Sequence, residues 1–309
     1  MAVRAETSDL LDAVWVGDSI LSKPRLECIP LLGAIASHTS RLHLGVACMA
    51  TIAQRNPVLL ALQWASLDVL SAGRTWLAAC MGYPASQHPM AAKELDVMGI
   101  ASKERPARLE EMILALRALW SDDHASFHGK YYVFDDVDLL PKPAQQPCPI
   151  FIAGTPRASL IGEHRVERAL RRIARYADGW MTNQIEPELL QYYQTRIRQL
   201  LVQEGRDPTK FKTILYYGIC VNRDRERAFR EAKTFLDAYY LKDFSRAGVE
   251  IWNACGPLEH CIQNIREFVN LGVDHITIRP IGADLDEQFR LYLEEILPAL
   301  ESRDLSNVC

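Results

Sequence analysis

Two short stretches of the sequence carry residue types that suit chemistry at the ends of strands. Asp18 follows the apolar run Ala13–Val16 and is the carboxylate nearest to the end of such a run. It suits a general base, a substrate anchor or a cap of the next segment, and its type does not decide among these roles. The second stretch is Gly154-Thr155-Pro156-Arg157, which follows the run Ile150–Ala153.

This second stretch is the best candidate for binding an anion. Gly154 permits close approach of the backbone, Thr155 offers a hydroxyl and an N–H group, and Arg157 offers positive charge. An ordinary strand-to-helix turn with a threonine cap would have the same composition. The residues alone therefore leave both phosphate binding and a purely structural turn open.

Short apolar runs alternate with helical patterns along the chain. Such continuous runs are typical of strands buried on both faces of a parallel sheet. Capping signals, such as Asn56 before Pro57, and apolar stripes with helical spacing predict helices between the runs. The alternation predicts a parallel α/β fold. The runs are Ala13–Val16, Leu42–Ala50, Thr75–Met81, Ile150–Ala153, Gly179–Thr182, Thr213–Val221 and Asp274–Arg279.

A closed barrel fits this alternation better than an open sheet. An open dinucleotide-binding sheet needs a G-x-G-x-x-G turn after its first strand, and the sequence has none there. We expect a single TIM-type (β/α)₈ barrel over residues 1–309. Because the first run begins near Ala13, the residues before it leave no room for a full strand–helix unit, so we expect a barrel that lacks its first strand and most of its first helix.

Composition excludes several classes of function. The 309 residues include 35 Lys and Arg against 39 Asp and Glu, a formal charge of −4. This balance gives no general attraction to nucleic acid or to an anionic membrane surface. No apolar run approaches the about 20 residues of a membrane span, and the first residues lack a signal-peptide pattern. We expect a cytoplasmic protein without nucleic-acid or membrane partners.

The eight cysteines are scattered and form no C-x-x-C pair. Most lie among apolar residues, so we expect reduced, buried structural thiols and no metal site. The predicted strand ends also hold few acids or bases. Such a site suits a flat cofactor that brings its own chemistry.

Several motifs follow one another in the order of one known family, from about Asp12 to Pro298. They include Asp12–Asp18, Thr39–Gly45, Arg55-Asn56-Pro57, Ser66–Arg74, Phe127–Tyr132, Pro141-Lys142-Pro143, Pro149–Gly154, Tyr176–Trp180 and Gly272–His275. On these motifs the chain resembles the bacterial luciferase-like flavin-dependent oxidoreductases, a family that includes monooxygenases.

The resemblance implies a TIM-type barrel that holds FMN, or the deazaflavin coenzyme F420, at its C-terminal mouth. By position, Gly154 and Thr155, with Arg157 beside them, match the loop that holds the flavin phosphate. Asp18 matches an acidic residue near the substrate, where it is a candidate catalytic residue. Many relatives have histidine after that acid, whereas this chain has Ser19. The positions that match the lining of the isoalloxazine ring are Ala50, Thr51, Cys80 and Met81.

The resemblance also implies a function. The first expectation is a monooxygenase that uses reduced FMN, supplied by a separate flavin reductase, and O₂ on a small organic substrate. An F420-dependent dehydrogenase or reductase is the alternative, and a non-catalytic subunit of a luciferase-like heterodimer is a third. Residues 82–149 would form an insertion of lid, helix and hairpin. Relatives are commonly dimers, so we expect a homodimer.

Overall fold

The computed structural model describes residues 1–301. Its strands are β1 (Ala13–Val16), β2 (His43–Met49), β3 (Thr75–Ala79), β4 (Ala125–His128), β5 (Val133–Val137), β6 (Ile150–Ala153), β7 (Gly179–Asn183), β8 (Lys212–Val221), β9 (Asn253–Gly256) and β10 (His275–Pro280).

Helices separate most of these strands. They are α1 (Ala2–Thr7), α2 (Cys28–Ala36), α3 (Pro57–Leu70), α4 (Pro89–Val97), α5 (Arg105–Ser121), α6 (Ala158–Ile161), α7 (Glu163–Tyr176), α8 (Pro187–Gln203), α9 (Arg225–Tyr240), α10 (Arg246–Glu250), α11 (Leu258–Asn270), α12 (Leu285–Leu291) and α13 (Leu297–Glu301).

The chain contacts cluster into two units. The first comprises residues 2–154 and 164–180. Its strands β1, β2, β3 and β6 pair in parallel in that order, and the predicted hairpin is the antiparallel pair β4–β5. Within the described residues, β1 is hydrogen-bonded to one strand only, β2.

The second unit comprises residues 155–163 and, within the described part of the chain, residues 181–301. In it β8 pairs in parallel with both β9 and β10. The strand β9 was not predicted, because its four residues Asn-Ala-Cys-Gly are too short and too polar to form a recognisable apolar run.

Local sequence signals place the elements of the first unit as predicted. The Asn56 side chain caps α3 by accepting hydrogen bonds from the N–H groups of Val58 (3.0 Å) and Leu59 (3.1 Å). The Trp120 indole of α5 donates to the Ala61 carbonyl of α3 at 3.1 Å. Both helices bury apolar residues on the side that faces the core.

Arg74 ties together the edge of the first unit where β2 and β3 begin. Its guanidinium donates to the carbonyl oxygens of Ser71 (2.6 Å), Leu42 (2.6 Å) and Thr39 (2.8 Å). Arg74 thus has a structural role, as a cation placed after the C-terminus of a helix commonly does. Among residues 1–301, no helix combines the length and the apolarity that crossing a lipid bilayer requires.

Candidate functional site

Asp18 and Thr51 form the centre of a buried polar network in the first unit. The Oδ2 atom of Asp18 accepts hydrogen bonds from the Thr51 N–H (2.9 Å) and from the Thr51 hydroxyl (2.7 Å). The Oδ1 atom accepts one from Nη2 of Arg55 at 3.0 Å. Asp18 and Thr51 are both buried. The network therefore fixes the loop after β1 against the end of β2.

The Arg55 guanidinium contacts two carboxylates and one thiol. Its Nη2 lies 2.8 Å from Oε1 of Glu27 and 3.8 Å from Sγ of Cys28, in addition to Asp18. Asp18, Glu27 and Cys28 have ligand atoms within 4.8 Å of one another, a spacing that a metal ion could use. Because the arginine already donates to all three, the cluster is an ion-pair network.

The electrostatics of this network agree with that assignment. Burial alone would lower the pKa of Arg55, but the Asp18 carboxylate raises it above its ordinary value. Burial and the charge of Asp18 raise the pKa of the Cys28 thiol, which therefore stays protonated at neutral pH. Of the roles that the sequence leaves open for Asp18, the geometry favours a positioning carboxylate, because its described hydrogen bonds all come from donors of Thr51 and Arg55.

The ends of β2 and β3 carry the four residues that the resemblance assigns to the ring of a flavin. Cys80 forms a disulfide with Cys48, with a Cα–Cα distance of 5.9 Å. The expectation of reduced thiols is therefore wrong for these two cysteines. Parallel pairing of β2 with β3 sets their ends side by side, within the range of a disulfide. Cys80 consequently has no free thiol to present to a cofactor.

The remaining cysteines in residues 1–301 are buried free thiols, as expected; Cys309 lies outside the described residues. They are Cys28, Cys148, Cys220, Cys255 and Cys261. Burial raises the pKa of Cys148, Cys220 and Cys261 to about 12, so these thiols are inert at neutral pH.

The loop after β3 approaches Ala50 closely. Gly82 has φ +70°, and a Cβ built on it would lie 3.4 Å from the Ala50 carbonyl oxygen. Arg105, at the start of α5, holds this loop by donating to the carbonyls of Met81 (2.6 Å) and Tyr83 (2.7 Å). Ala50 and Met81 are half-buried, whereas Thr51 and Cys80 are buried.

Gly154 ends the same unit with backbone that suits a glycine. Its φ is +153°, and a Cβ at this position would meet no atom within 4 Å. The indole N–H of Trp180 donates to the Gly154 carbonyl at 2.8 Å. Gly154 thus presents its backbone to open space, which is what close approach of a ligand requires.

In the second unit the Thr155 hydroxyl is held by the end of β7. Its Oγ1 donates to the Asn183 carbonyl at 2.5 Å and lies 2.8 Å from Oγ1 of Thr182. The Arg157 guanidinium pairs with both carboxylate oxygens of Glu186, at 3.1 and 3.0 Å, and donates to the Gln184 carbonyl. The positive charge expected at Arg157 is therefore balanced within the protein.

Sequence reasoning missed two residues that organise the loops of the first unit. One is Arg105, described above, and the other is Glu94 of α4. Glu94 is buried with only 3% of its surface exposed, although glutamate is seldom buried without partners. Neither side chain belongs to a recognisable motif, so their contacts were not available from spacing.

Known proteins are similar to this chain over nearly its whole length. The chain is 27% identical over 299 residues to the F420-dependent glucose-6-phosphate dehydrogenase of Nakamurella multipartita, covering 89% of this chain and 82% of that protein. Two solved structures are similar in fold. An F420-dependent secondary alcohol dehydrogenase, in complex with an F420–acetone adduct, has a TM-score of 0.80 and 20% identity, covering 97% of this chain and 93% of its own.

The second is the monooxygenase RslO1 from Streptomyces bottropensis, with a TM-score of 0.77 and 22% identity, covering 96% of this chain and 92% of its own. These similarities confirm the expected TIM-type barrel fold. The family model described as luciferase-like monooxygenase matches residues 1–275. This chain therefore belongs to the luciferase-like monooxygenase family.

Proposed function

We propose that the protein is a coenzyme F420-dependent dehydrogenase that oxidises a hydroxyl-bearing small molecule. The observation that carries this proposal is the 27% identity to an F420-dependent glucose-6-phosphate dehydrogenase over 89% of the chain. From the sequence, an FMN-dependent monooxygenase is the first expectation and an F420-dependent dehydrogenase is the alternative. The similarity reverses that order, and FMN chemistry is supported by the family description and by more distant likeness of fold.

The strand ends of the first unit fit one face of a flat ring. Ala50 and Met81, which are half-buried, lie there beside Gly82. Thr51 is fixed by Asp18 and Arg55, so its position is set before a ligand arrives. We propose Ala50, Met81 and the backbone of Cys80 as the ring-lining residues, and the fully buried Thr51 as the residue that fixes the end of β2 beside them.

The turn at residues 154–155 fits a phosphate. Gly154 leaves its backbone open, and the Thr155 hydroxyl holds the turn by donating to the Asn183 carbonyl, so backbone groups of the turn would meet the phosphate. Arg157 contributes a positive field that Glu186 partly cancels, so its role is to shape the turn rather than to provide the main charge. When bound, the coenzyme would supply the hydride acceptor, and the chain's own residues would orient it and exclude water.

Asp18 takes a positioning role in this proposal. Its carboxylate orders Thr51 through two hydrogen bonds and Arg55 through an ion pair, and both follow β2. Loss of its charge would weaken the hold on Thr51 and leave Arg55 paired with Glu27. We therefore expect Asp18 to act on the substrate through the loops that it orders.

The proposal is tested with the purified protein and two coenzymes. Oxidised F420 and FMN are titrated separately, and binding is followed by the quenching of each coenzyme's fluorescence. Glucose 6-phosphate and a panel of simple secondary alcohols are then added without oxygen, and the loss of oxidised F420 absorbance is recorded. Micromolar F420 binding with substrate-dependent reduction supports the dehydrogenase. Oxygen consumption with reduced FMN and no reaction of F420 would instead establish the monooxygenase.

We also propose a homodimer, because α3 exposes a row of large apolar side chains. Leu59, Leu62 and Val69 recur at helical spacing along one face, with 54%, 39% and 45% of their surface exposed, and Leu70 is 76% exposed. Contiguous exposed apolar surface of this kind marks interaction sites. Light scattering should give twice the monomer mass, and a Leu59→Glu variant should give the monomer. A monomeric wild-type protein at micromolar concentration would refute the dimer.

A further inference from the structure

Glu94 is a buried carboxylate that accepts several hydrogen bonds from the loop after β1. Its Oε2 accepts hydrogen bonds from three successive backbone N–H groups, those of Ile20 (2.9 Å), Leu21 (2.7 Å) and Ser22 (3.1 Å). The Ser22 hydroxyl adds a fourth bond at 3.0 Å. One oxygen of a single side chain therefore satisfies the backbone of a whole turn.

The other oxygen of the same carboxylate reaches a different loop. Oε1 of Glu94 accepts a hydrogen bond from Nε2 of Gln54 at 3.2 Å, and Gln54 ends the short 3₁₀ turn Ile52–Gln54 after β2. Glu94 itself lies on α4, in the segment between β3 and α5. Glu94 thus ties together the connections that follow three neighbouring strands, β1, β2 and β3.

These connections are the ones that matter for a barrel enzyme. Active sites of TIM barrels are built from the loops that follow the carboxyl ends of the strands. Ile20 lies two residues after Asp18, and Gln54 lies three residues after Thr51. The Glu94 contacts and the Asp18–Thr51 pair therefore fasten the same two loops at adjacent points.

The ionised state of Glu94 makes its hydrogen bonds to the loops strong. Burial would raise the pKa of its carboxyl, but hydrogen bonds from Leu21, Ser22 and Gln54 lower it below the ordinary value, so Glu94 is ionised at neutral pH. Hydrogen bonds to a charged acceptor are stronger than those between neutral groups. Every described contact of Glu94 is a donor on a loop of the first unit.

From this geometry we propose that Glu94 is a positioning residue that holds α4 against the loops after β1 and β2 and keeps the Asp18 loop in its working position. The inference rests on the proposed dehydrogenase function for its catalytic readout. A purely structural glutamate would stabilise the fold without selectively changing the use of substrate. A positioning glutamate would instead change how tightly the substrate is bound once the coenzyme is in place.

The decisive variant is Glu94→Gln, which keeps the shape of the side chain but removes the charge and turns an amide toward N–H donors. The matched control is Asp96→Asn, an equal change of charge at an exposed position two residues away on the same helix. We expect Glu94→Gln to raise the KM for substrate about tenfold or more, since bonds to a charged group are lost. We expect kcat and the F420 dissociation constant to change less than the KM does.

Two readouts need no turnover. Hydrogen exchange should become at least about tenfold faster at the amides of Ile20, Leu21 and Ser22 in Glu94→Gln, and limited proteolysis should cut faster within residues 83–104. Asp96→Asn should match the wild type in both. If neither F420 nor FMN is used by the wild-type protein, the proposed function fails, while these two measurements still report whether Glu94 fastens the loops.

A milder variant covers the case in which Glu94→Gln does not fold. Ser22→Ala removes one of the four bonds to Oε2, and we expect a smaller change of KM in the same direction. A wild-type KM in Glu94→Gln would overturn the proposal. So would a rise in KM that is matched by equal falls in kcat and thermal stability, if Ser22→Ala shows the same pattern.

Discussion

Thr51 presents both its backbone N–H and its hydroxyl to a single oxygen of Asp18, at 2.9 and 2.7 Å. The two residues are 33 positions apart in sequence, yet they form one buried unit with Arg55, whose Nε donates to the Thr51 hydroxyl at 2.9 Å. The threonine hydroxyl therefore donates to a carboxylate and accepts from a guanidinium. This arrangement orients the end of β2 independently of any ligand.

Replacing Asp18 by asparagine should destabilise the protein. The change weakens the acceptor for both Thr51 donors, while Arg55 keeps Glu27 as a partner, so we expect a loss of about 1–3 kcal/mol, the scale of a poorly satisfied buried donor. Thr51→Ser keeps both donors and serves as the control, with a small expected loss. Urea unfolding followed by circular dichroism measures the difference. An Asp18→Asn protein as stable as Thr51→Ser would show that the pair does not hold these loops.

Thr155 and Arg157 should differ in their effect on coenzyme binding. Thr155→Val removes the hydroxyl that holds the turn to the Asn183 carbonyl, and we expect up to about tenfold weaker binding of F420, the scale of one hydrogen bond between neutral groups. Arg157→Gln breaks an ion pair with Glu186 and should weaken binding less. Fluorescence titration of each variant checks the order. The reverse order would return the main phosphate contact to Arg157.

The Cys48–Cys80 bond should be detectable in protein purified without reductant. Tryptic peptides that contain these cysteines should run as one cross-linked species in mass spectrometry and separate after reduction. Burial raises the pKa of Cys148 and Cys261 to about 12, so these thiols should resist iodoacetamide at neutral pH until the protein is unfolded. Alkylation of both Cys48 and Cys80 in unreduced protein would contradict the disulfide.

Glu6 should make stability depend on pH in the acidic range. Burial raises its pKa, but hydrogen bonds from Ser40, Arg41 and Leu42 outweigh that effect and lower it from 4.5 to about 2. A depressed folded pKa stabilises the protein above the unfolded pKa, and this contribution is lost as pH falls from 4.5 toward 2. Glu6→Gln should therefore be less stable than the wild type at neutral pH.

The difference in unfolding free energy between Glu6→Gln and the wild type should shrink as the pH falls below 4.5. Chemical unfolding at a series of pH values measures it, and the exposed Glu188 provides a control in Glu188→Gln. A difference that stays constant through this range would mean that Glu6 is not held as a carboxylate.

The sequence predicts the strands of this fold well, because each buried strand is a short apolar run. The predicted bounds of β1 and β6 are those of the structure, and β8 differs by one residue. The strand β9 was not predicted, because Asn253 and Gly256 interrupt the apolar pattern. There Asn253 fills the space above Gly218, where a Cβ would lie 1.9 Å from its Oδ1 atom. Such a fit between two strands leaves no periodic signal.

The site was less predictable, because its chemistry depends on contacts between distant residues. Arg157 has the composition of an anion site, but Glu186, which balances its charge, lies 29 positions further along the chain. Cys48 and Cys80 are 32 positions apart and meet only because β2 and β3 pair in parallel. Motif spacing reports neighbours along the chain, whereas these partners are set by strand register.

The contact of Trp15 with Gly45 makes β1 observable in solution. A Cβ on Gly45 would lie 2.1 Å from the indole, so the ring covers the neighbouring strand directly, and Trp76 lies 5.7 Å away between ring centroids. Since β1 is hydrogen-bonded to β2 alone among the described strands, its detachment would separate this aromatic pair. The emission wavelength of Trp15, with the other indoles replaced, would then report when the edge of the sheet frays, well before the rest of the molecule melts.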